Sequence, residues 1–236
     1  MKAFLLRFFW AGTLALLLGA CAGNPKNPDD PWEGFNRGAF EFNEGLDKYL
    51  MKPLAQGYET VTPTPVRAGV RNFFDNLEDL WVGANNLLQG KPGQAASDVG
   101  RFLINTTIGV FGLIDVASPV GLGKHNEDFG QTLGVWGVGE GPYVVLPVFG
   151  PRTLRDSGGL AVDYHFDLLD QVDPVRTRNG LQVLKVIDLR AGLLPIQKVI
   201  DQAALDKYNY LRSAYLQRRR NLVYDGNPPR EEIPEE

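Results

Sequence analysis

The sequence has almost no cysteine or histidine from which to build a cross-link or a metal site. Its 236 residues include one cysteine, Cys21, and two histidines, His125 and His165, which lie far apart in the chain. A single thiol excludes an intramolecular disulfide framework and a multi-cysteine zinc site, and the distance between the histidines excludes the helical His-x-x-x-His zinc motif. We therefore expect neither a metal ion nor another cofactor.

The chain also lacks the excess of basic residues that is typical of nucleic-acid-binding proteins. It carries 24 Lys and Arg against 28 Asp and Glu, so its formal net charge is −4. Because proteins that bind DNA or RNA usually present a basic face, this balance argues against a nucleic-acid partner. Apolar residues make up 44% of the chain, which is enough to predict one folded domain of ordinary size.

Common catalytic motifs are missing as well. There is no Gly-x-Ser-x-Gly elbow and no phosphate-binding P-loop, and Val144 stands where a dinucleotide fingerprint beginning at Gly139 would need its last glycine. Asp163 and Asp167 flank His165, which leaves a hydrolase possible, but no nucleophile is in register with them. We interpret these three side chains as structural and predict that the protein is not an enzyme.

The N-terminus predicts a lipoprotein signal peptide over residues 1–20. Lys2 and Arg7 give a positive start, and residues 8–18 form an uncharged, mostly apolar run that is shorter than the roughly 20 residues of a membrane-spanning helix. The pattern disfavours the alternative, a buried N-terminal helix. Leu18-Gly19-Ala20-Cys21 resembles the bacterial lipobox, which implies that Cys21 carries the lipid. In lipoproteins with such a motif, aspartate at the next position commonly signals retention in the inner membrane. Because Ala22 stands there, the resemblance implies the periplasmic face of the outer membrane.

The remainder of the chain predicts a mostly helical body at residues 30–226, between a flexible tether at 21–29 and a disordered acidic tail at 227–236. Asp30 has the chemistry of a helix N-cap, with Pro31 in the first turn. Further helices are predicted near residues 66–88, 94–107, 181–194 and 203–223. Each shows apolar residues at helical spacing. An aromatic stripe runs along the first helix: Trp32, Phe35, Ala39, Phe42, Leu46 and Tyr49. The rows expected to face inward are Val99, Phe102 and Leu103, and, in the last helix, Leu205, Tyr208, Leu211, Tyr215 and Leu222.

Two segments are unusually apolar and rich in glycine. Residues 102–114 carry no charge, and residues 129–151 carry only Glu140. Two interpretations stay open: a monotopic protein sunk in one leaflet, with irregular backbone satisfied by other protein groups, or a glycine-rich loop or hairpin buried in a water-soluble core. The charged residues 124–128 fit a rim at headgroup level or a solvated turn. Arg152, Arg155 and Asp156 fit a polar throat or a helix start.

A series of ordered motifs resembles the MlaA/VacJ family of outer-membrane lipoproteins. The match is dense from about residue 21 to 165 and looser in the C-terminal helices. The matching blocks are Asp30-Pro31, Glu33-Gly34-Phe35-Asn36-Arg37, Phe42-Asn43, Asn72-Phe73-Phe74, Leu88-Gln89-Gly90, Arg101-Phe102 with Asn105-Thr106, Asp115-Val116-Ala117, Asp128-Phe129-Gly130-Gln131-Thr132-Leu133-Gly134, Gly141-Pro142-Tyr143 and Leu154-Arg155-Asp156.

The resemblance implies a single ring-like, multi-helix domain with a short Gly/Pro-rich irregular or hairpin segment, lying in one leaflet around an amphipathic channel. Its implied function is to remove mislocalised phospholipid from the outer leaflet and pass it to a periplasmic carrier protein, next to a trimeric porin. The resemblance places six residues near the channel or its rim: Asn105, Glu127, Asp128, Phe129, Arg155 and Asp156. The alternatives are a structural scaffold bound to a porin and an envelope hydrolase.

Overall fold

The computed structural model describes residues 30–229, which are mostly helical with one small sheet, as the sequence predicts. The predicted signal peptide, the lipid attachment at Cys21, the tether and residues 230–236 of the predicted tail lie outside this range. Those assignments, and the domain boundaries that depend on them, stay predictions.

The first half of the described chain is a run of four helices. A five-residue π-helical stretch, Asp47–Met51, joins α1 to α2, and prolines stand in the first turns of α2, α3 and α4, where their fixed φ angle suits a helix start. Gly90, at φ +77°, follows α3 and ends it. The bounds are α1 (Glu33–Leu46), α2 (Lys52–Val61), α3 (Thr64–Leu88) and α4 (Pro92–Thr107).

The second half combines four helices with a β-hairpin. The helices are α5 (Phe129–Val135), α6 (Leu154–His165), α7 (Val175–Ala203) and α8 (Lys207–Val223), and the strands are β1 (Tyr143–Leu146) and β2 (Gly150–Thr153). The strands are antiparallel, with Tyr143 opposite Thr153 and Leu146 opposite Gly150. The hairpin is thus one of the two forms predicted for the Gly/Pro-rich segment.

Two asparagines of α1 complete the hydrogen bonding of β1. Asn36 Nδ2 donates to the Tyr143 carbonyl at 3.0 Å, and Asn36 Oδ1 accepts from Val145 N at 2.8 Å. Asn43, two turns further along α1, repeats the arrangement with the Leu146 carbonyl and Val148 N at 3.0 and 2.7 Å. Because both asparagines act as donor and acceptor, they occupy the edge where a third strand would pair.

The interior of the described chain is unusually polar. Fifteen polar or charged residues are buried against thirteen hydrophobic ones, while thirty-five large hydrophobic residues are exposed. Water-soluble proteins almost never bury Asp and Arg fully unless they are paired, and they do not expose contiguous apolar faces on this scale. The α3–α4 interface illustrates the inversion, since α4 buries Asp98, Arg101 and Asn105 along its length.

Several predictions about which side of a helix faces inward are therefore wrong. Val99 and Leu103 were expected inside, but they are 40% and 54% exposed because the opposite, polar side of α4 packs against α3. Leu205, expected in the buried row, lies outside α8 and is fully exposed. Phe42 and Tyr49 of the aromatic stripe, for which no direction was predicted, are exposed as well. The helices are amphipathic as predicted, but at these positions the apolar side of the helix is exposed on the protein surface.

The predicted role of Asp30 as a helix cap is also wrong. Trp32 is the residue before α1, and it makes no side-chain capping bond. Asp30 is instead buried and accepts from Asn36 Nδ2 at 2.7 Å, from Arg212 NH1 at 2.9 Å and from the Tyr208 hydroxyl. It therefore ties the start of α1 to α8. Over residues 30–229, no helix combines the length and apolar character needed to cross a bilayer.

Candidate functional site

Four of the six predicted site residues meet where α5, α6 and α8 converge. Asp128, Phe129, Arg155 and Asp156 lie there, with Glu127 immediately before them in the chain. At the centre stands Arg219 of α8, which is 5% exposed. We call Arg219, Asp128, Asp156, Tyr215 and Arg155 the Arg219 cluster.

The local sequence fixes both aspartates at helix starts. Asp128 is the N-cap of α5 and accepts from Gln131 N at 2.9 Å. Thr153 caps α6 in the same way, since its hydroxyl accepts from Asp156 N at 3.2 Å, which holds Asp156 in the first turn. The two helices approach closely because Gly159 has no side chain, and a Cβ there would lie 2.5 Å from Gly130 N.

Arg219 joins the two aspartates. Its NH1 and NH2 groups donate to Asp128 Oδ2 and Oδ1 at 2.5 and 2.6 Å, and NH2 also donates to Asp156 Oδ1 at 3.0 Å. The Tyr215 hydroxyl donates to Asp156 Oδ2 at 2.7 Å, and Arg155 Nε donates to Asp156 Oδ1 at 3.1 Å. This bidentate geometry gives the strongest kind of charge-assisted hydrogen bonding.

The charges of the Arg219 cluster stabilise one another. Burial alone would raise the pKa of Asp128, but the hydrogen bonds and positive charge of Arg219 outweigh it and lower that pKa below its usual value. Burial alone would likewise lower the pKa of Arg219, but Asp128 and Asp156 raise it. Burial, together with the Asp156 charge, raises the pKa of Tyr215. At neutral pH the cluster therefore holds an arginine cation between carboxylates.

A second set of polar contacts surrounds Phe129 and Glu127. Asp163 Oδ1 accepts from Phe129 N at 2.9 Å and from Trp81 Nε1 at 2.7 Å, so this carboxylate is engaged by α3 and α5. Glu127 accepts from Gln89 Nε2 at 2.8 Å and lies 3.3 Å from Lys91 Nζ. Burial raises the pKa of both Asp163 and Glu127.

Two adjoining cavities open beside these residues. The first has a volume of about 250 Å³ and the second about 270 Å³, and both are lined by Glu78, Val82, Glu127 and Asp128. The first cavity adds the apolar side chains of Leu77, Trp81, Phe166 and Leu168, and the second adds Gln131, Arg152, Tyr215, Arg218, Arg219 and Leu222. Charged and apolar groups thus share each wall, which suits an amphipathic ligand.

Asn105 lies apart from the other predicted site residues. Its Oδ1 accepts from Val116 N and Ala117 N at 2.8 and 2.9 Å, and its Nδ2 donates to Asp115 at 3.1 Å. It belongs to a polar network between α3 and α4 in which Arg101 lies 3.2 Å from Asp79. Asn105 lines neither of the two cavities, and in the described structure it holds the segment that follows α4.

Arg219 is the residue that the sequence analysis missed. Three consecutive arginines near a helix C-terminus, as at residues 218–220, are expected from the sequence to complement the helix dipole, with contact to anionic lipid or a partner as the alternative. For Arg219 this expectation is wrong, because the side chain is buried and paired with Asp128. The sequence does carry one indication that Arg219 is buried. Tyr215 and Leu222 belong to the predicted inward row of α8, and Arg219 lies on that row between them. Among the described residues, no group of three His, Cys, Asp or Glu could hold a metal ion.

Comparison with known proteins gives consistent matches along most of the chain. A family model described as MlaA lipoprotein matches residues 28–222. The intermembrane phospholipid transport system lipoprotein MlaA of Escherichia coli (strain K12) is 38% identical over 229 residues, covering 94% of this chain and 90% of that protein. The protein of the same description from Haemophilus influenzae is 33% identical, covering 90% and 88%.

Other matches include an uncharacterised protein and a solved structure. The protein from Rickettsia felis is 38% identical over 186 residues, covering 78% of this chain and 74% of its own length. The solved structure, described as "Structural basis for maintenance of bacterial outer membrane lipid asymmetry", has a TM-score of 0.72 at 38% identity and covers 82% of this chain and 98% of its own. The similarity therefore extends from sequence to fold.

Proposed function

Since the chain belongs to the MlaA lipoprotein family, we propose that it transports phospholipid between the membranes of the bacterial envelope and so maintains the lipid asymmetry of the outer membrane. It removes phospholipid that has strayed into the outer leaflet and passes it to a periplasmic carrier protein. It does so by sheltering the lipid, without breaking a covalent bond.

The observation that carries this proposal is that polar residues are buried in the helical body while large apolar residues are exposed on its surface. Leu103, Ile108, Phe111 and Ile114 are 54–74% exposed on and after α4, whereas the buried side of that helix is polar. Each large apolar side chain gains on the order of 1 kcal/mol or more when it leaves water for hydrocarbon. We infer that this surface lies within one leaflet and that the polar interior is sheltered from lipid.

The loop after α4 is suited to that position because its backbone is satisfied locally. Phe111 N donates to the Thr106 carbonyl at 3.0 Å, and Gly112 N donates to the Asn105 carbonyl at 2.8 Å. Backbone groups without partners are costly in hydrocarbon, so irregular segments at membrane depth need such bonds. This supports the monotopic interpretation of the apolar segment over that of a loop buried in a water-soluble core.

The two adjoining cavities are our candidate for the amphipathic channel. A headgroup would contact their charged wall, while acyl chains stay beside apolar side chains. Desolvating a headgroup without polar partners would otherwise oppose its movement strongly. We propose Glu127 and Asp128, which line both cavities, as residues of the channel. Phe129, Arg155 and Asp156 line neither cavity, and we propose them for the rim because Phe129 follows Asp128 and the other two belong to the Arg219 cluster.

The location and partners extend the same proposal. Acylation of Cys21 anchors the chain at the periplasmic face of the outer membrane, because burial of an acyl chain gains about 0.8 kcal/mol per CH₂. The exposed apolar side chains are also suited to contact a trimeric porin in that membrane. A periplasmic carrier receives the lipid from the side facing the aqueous space.

A gene deletion tests the transport proposal. Outer-leaflet phospholipid is measured with a lipase or an acylation probe that acts only on that leaflet, in wild-type, deleted and complemented cells. We expect the phospholipid signal to rise in the deletion strain and to return to the wild-type level on complementation. An unchanged signal in the deletion strain refutes phospholipid transport.

A scaffold that only positions a porin is the second candidate, because the same exposed apolar side chains would cover a porin surface. Crosslinking separates the two functions: capture of porin without phospholipid, in cells with unchanged lipid asymmetry after deletion, favours the scaffold. The hydrolase alternative predicts that Asp163→Asn abolishes activity. We expect Asp163→Asn to preserve transport, because an asparagine oxygen still accepts from Trp81 and Phe129.

A further inference from the structure

The second cavity contains arginines that have no protein partner. Of the arginines at residues 30–229, three have side chains that make no hydrogen bond or ion pair, namely Arg152, Arg176 and Arg218, and Arg152 and Arg218 line the second cavity. Arg176 lies exposed at the start of α7, where an unpaired arginine is ordinary. An unpaired arginine beside a cavity is less ordinary and points to a ligand.

Arg152 is the more informative of the two. It lies on β2 opposite Val144, and its Nε atom is buried without an acceptor. A buried donor left unpaired destabilises a folded protein, and a charged one more so. An anion entering the second cavity would remove that cost, which makes Arg152 a preformed binding group.

The acidic residues of the cavity wall do not supply this anion. Glu78 lies 2.8 Å from Lys185 Nζ, Glu127 lies 3.3 Å from Lys91 Nζ, and Asp128 is bound by Arg219. Each carboxylate therefore already has a cationic partner. The anion that Arg152 and Arg218 can bind comes from outside the described chain.

The chemistry of the site favours a phosphate group. A guanidinium presents a planar fork of donors that matches phosphate oxygens, and two guanidinium groups suit a group with several acceptor oxygens. Val82 and Leu222 also line the second cavity, and the apolar side chains of the first cavity adjoin it. A free phosphate ion would gain nothing from these apolar neighbours, whereas the acyl chains of a phospholipid would pack against them.

We propose that Arg152 and Arg218 bind the phosphodiester of a phospholipid headgroup in the second cavity. This assignment rests on the proposed transport function and adds to it the residues that recognise the cargo. It also implies selectivity, because a diacylglycerol with the same acyl chains lacks the group that the two arginines hold.

Lipid retention by the purified protein tests the assignment. The full-length acylated chain is held in neutral detergent micelles containing either phosphatidylglycerol or diacylglycerol of matched acyl chains, and retained lipid is measured by mass spectrometry. We expect the wild type to retain phosphatidylglycerol preferentially. Arg152→Gln should lower that retention about tenfold, which corresponds to about 1.4 kcal/mol, and Arg218→Gln should lower it in the same direction.

Two further variants serve as controls. Arg176→Gln removes the third unpaired arginine side chain, which does not line the cavity, and should leave retention unchanged. Arg152→Lys keeps the positive charge without the planar fork, and should retain more phosphatidylglycerol than Arg152→Gln but less than the wild type. Because the Arg152 side chain makes no hydrogen bond to the described part of the protein, Arg152→Gln is expected to fold, and thermal unfolding of each variant verifies this. Arg218→Gln changes an exposed position and gives an independent measurement.

Three outcomes overturn the assignment. Equal retention of phosphatidylglycerol by wild type, Arg152→Gln and Arg218→Gln means that these arginines do not hold the headgroup. Equal retention of phosphatidylglycerol and diacylglycerol by the wild type means that phosphate is not recognised. Inorganic phosphate that displaces phosphatidylglycerol at matched concentration assigns the site to the free ion. All three are separable from failure of transport itself, which the deletion assay measures in cells.

Discussion

Arg219 gives the sharpest test of how the polar interior is held together. Replacing it with methionine keeps a long flexible side chain but removes the cation between Asp128 and Asp156. Breaking a buried ion pair by deleting one partner costs about 3–5 kcal/mol, because the remaining charge is left without compensation. The size of the effect here depends on what remains near each aspartate.

The structure places the expected cost at the lower end of that range. The Asp156 side chain is 1% exposed, but it keeps the hydrogen bonds from Tyr215 and Arg155. The Asp128 side chain is 30% exposed, and it keeps the backbone bond from Gln131. We therefore expect Arg219→Met to lower the free energy of unfolding by about 3 kcal/mol.

Guanidinium titration of the full chain at a fixed detergent concentration measures this change. Arg176→Met is the matched control, and since Arg176 is exposed and unpaired, its effect should stay within about 0.5 kcal/mol. Adding Asp128→Asn to Arg219→Met should recover at least about 1 kcal/mol, because Asp128 has no ion pair within residues 30–229 other than the one with Arg219 and asparagine still accepts the bond from Gln131 N. An Arg219→Met variant as stable as the control refutes the idea that the Arg219 cluster holds the interior together.

Three further results are expected. Gly109→Ala should destabilise the fold by about 2 kcal/mol or more in the same titration, because its Cβ would lie 2.1 and 2.5 Å from backbone oxygens, whereas Gly93→Ala, with open space around it, should not destabilise. The pKa of Asp115 is lowered to about 2 from 3.8, since hydrogen bonds from Ser118 and others outweigh burial, so its stabilisation should be complete above pH 3.8 and disappear as the pH falls through about 2. Comparing unfolding of the wild type and Asp115→Asn across that range measures it, and a difference that persists below pH 2 contradicts it. Cys21→Ser should stay in the membrane fraction after a salt wash, because the exposed apolar side chains bind lipid without the acyl group; release into the wash contradicts the proposed position in the leaflet.

The longer helices were predictable from the sequence because proline, glycine and a 3.6-residue period mark them in any environment. The shorter helices α2 and α5 were not predicted, and the start of α6 was only one of two alternatives. The direction in which each helix faces was not predictable either. A row of apolar residues such as Val99 and Leu103 shows that one side differs from the other, but it does not show whether the medium beyond that side is water or hydrocarbon. In water the apolar side turns inward, and here it turns outward.

The candidate site was predictable only in part for a different reason. Family motifs brought Asp128 and Asp156 forward as residues near the channel or its rim. Their partner Arg219 lies 91 and 63 positions further along the chain, and no local pattern connects residues at that distance. The unpaired state of Arg152 is also invisible in the sequence, since it depends on three neighbouring carboxylates that are already bound by other cations.

The asparagines that close the edge of β1 constrain the order in which this protein can assemble. Before Asn36 and Asn43 reach the hairpin, the outer edge of β1 presents bare amide and carbonyl groups that hydrocarbon cannot solvate. For a chain that lies in one leaflet as proposed above, the strand should therefore enter the hydrocarbon only after α1 has docked. A chain in which α1 has not docked would keep an open strand edge in water, which could pair with another immature copy.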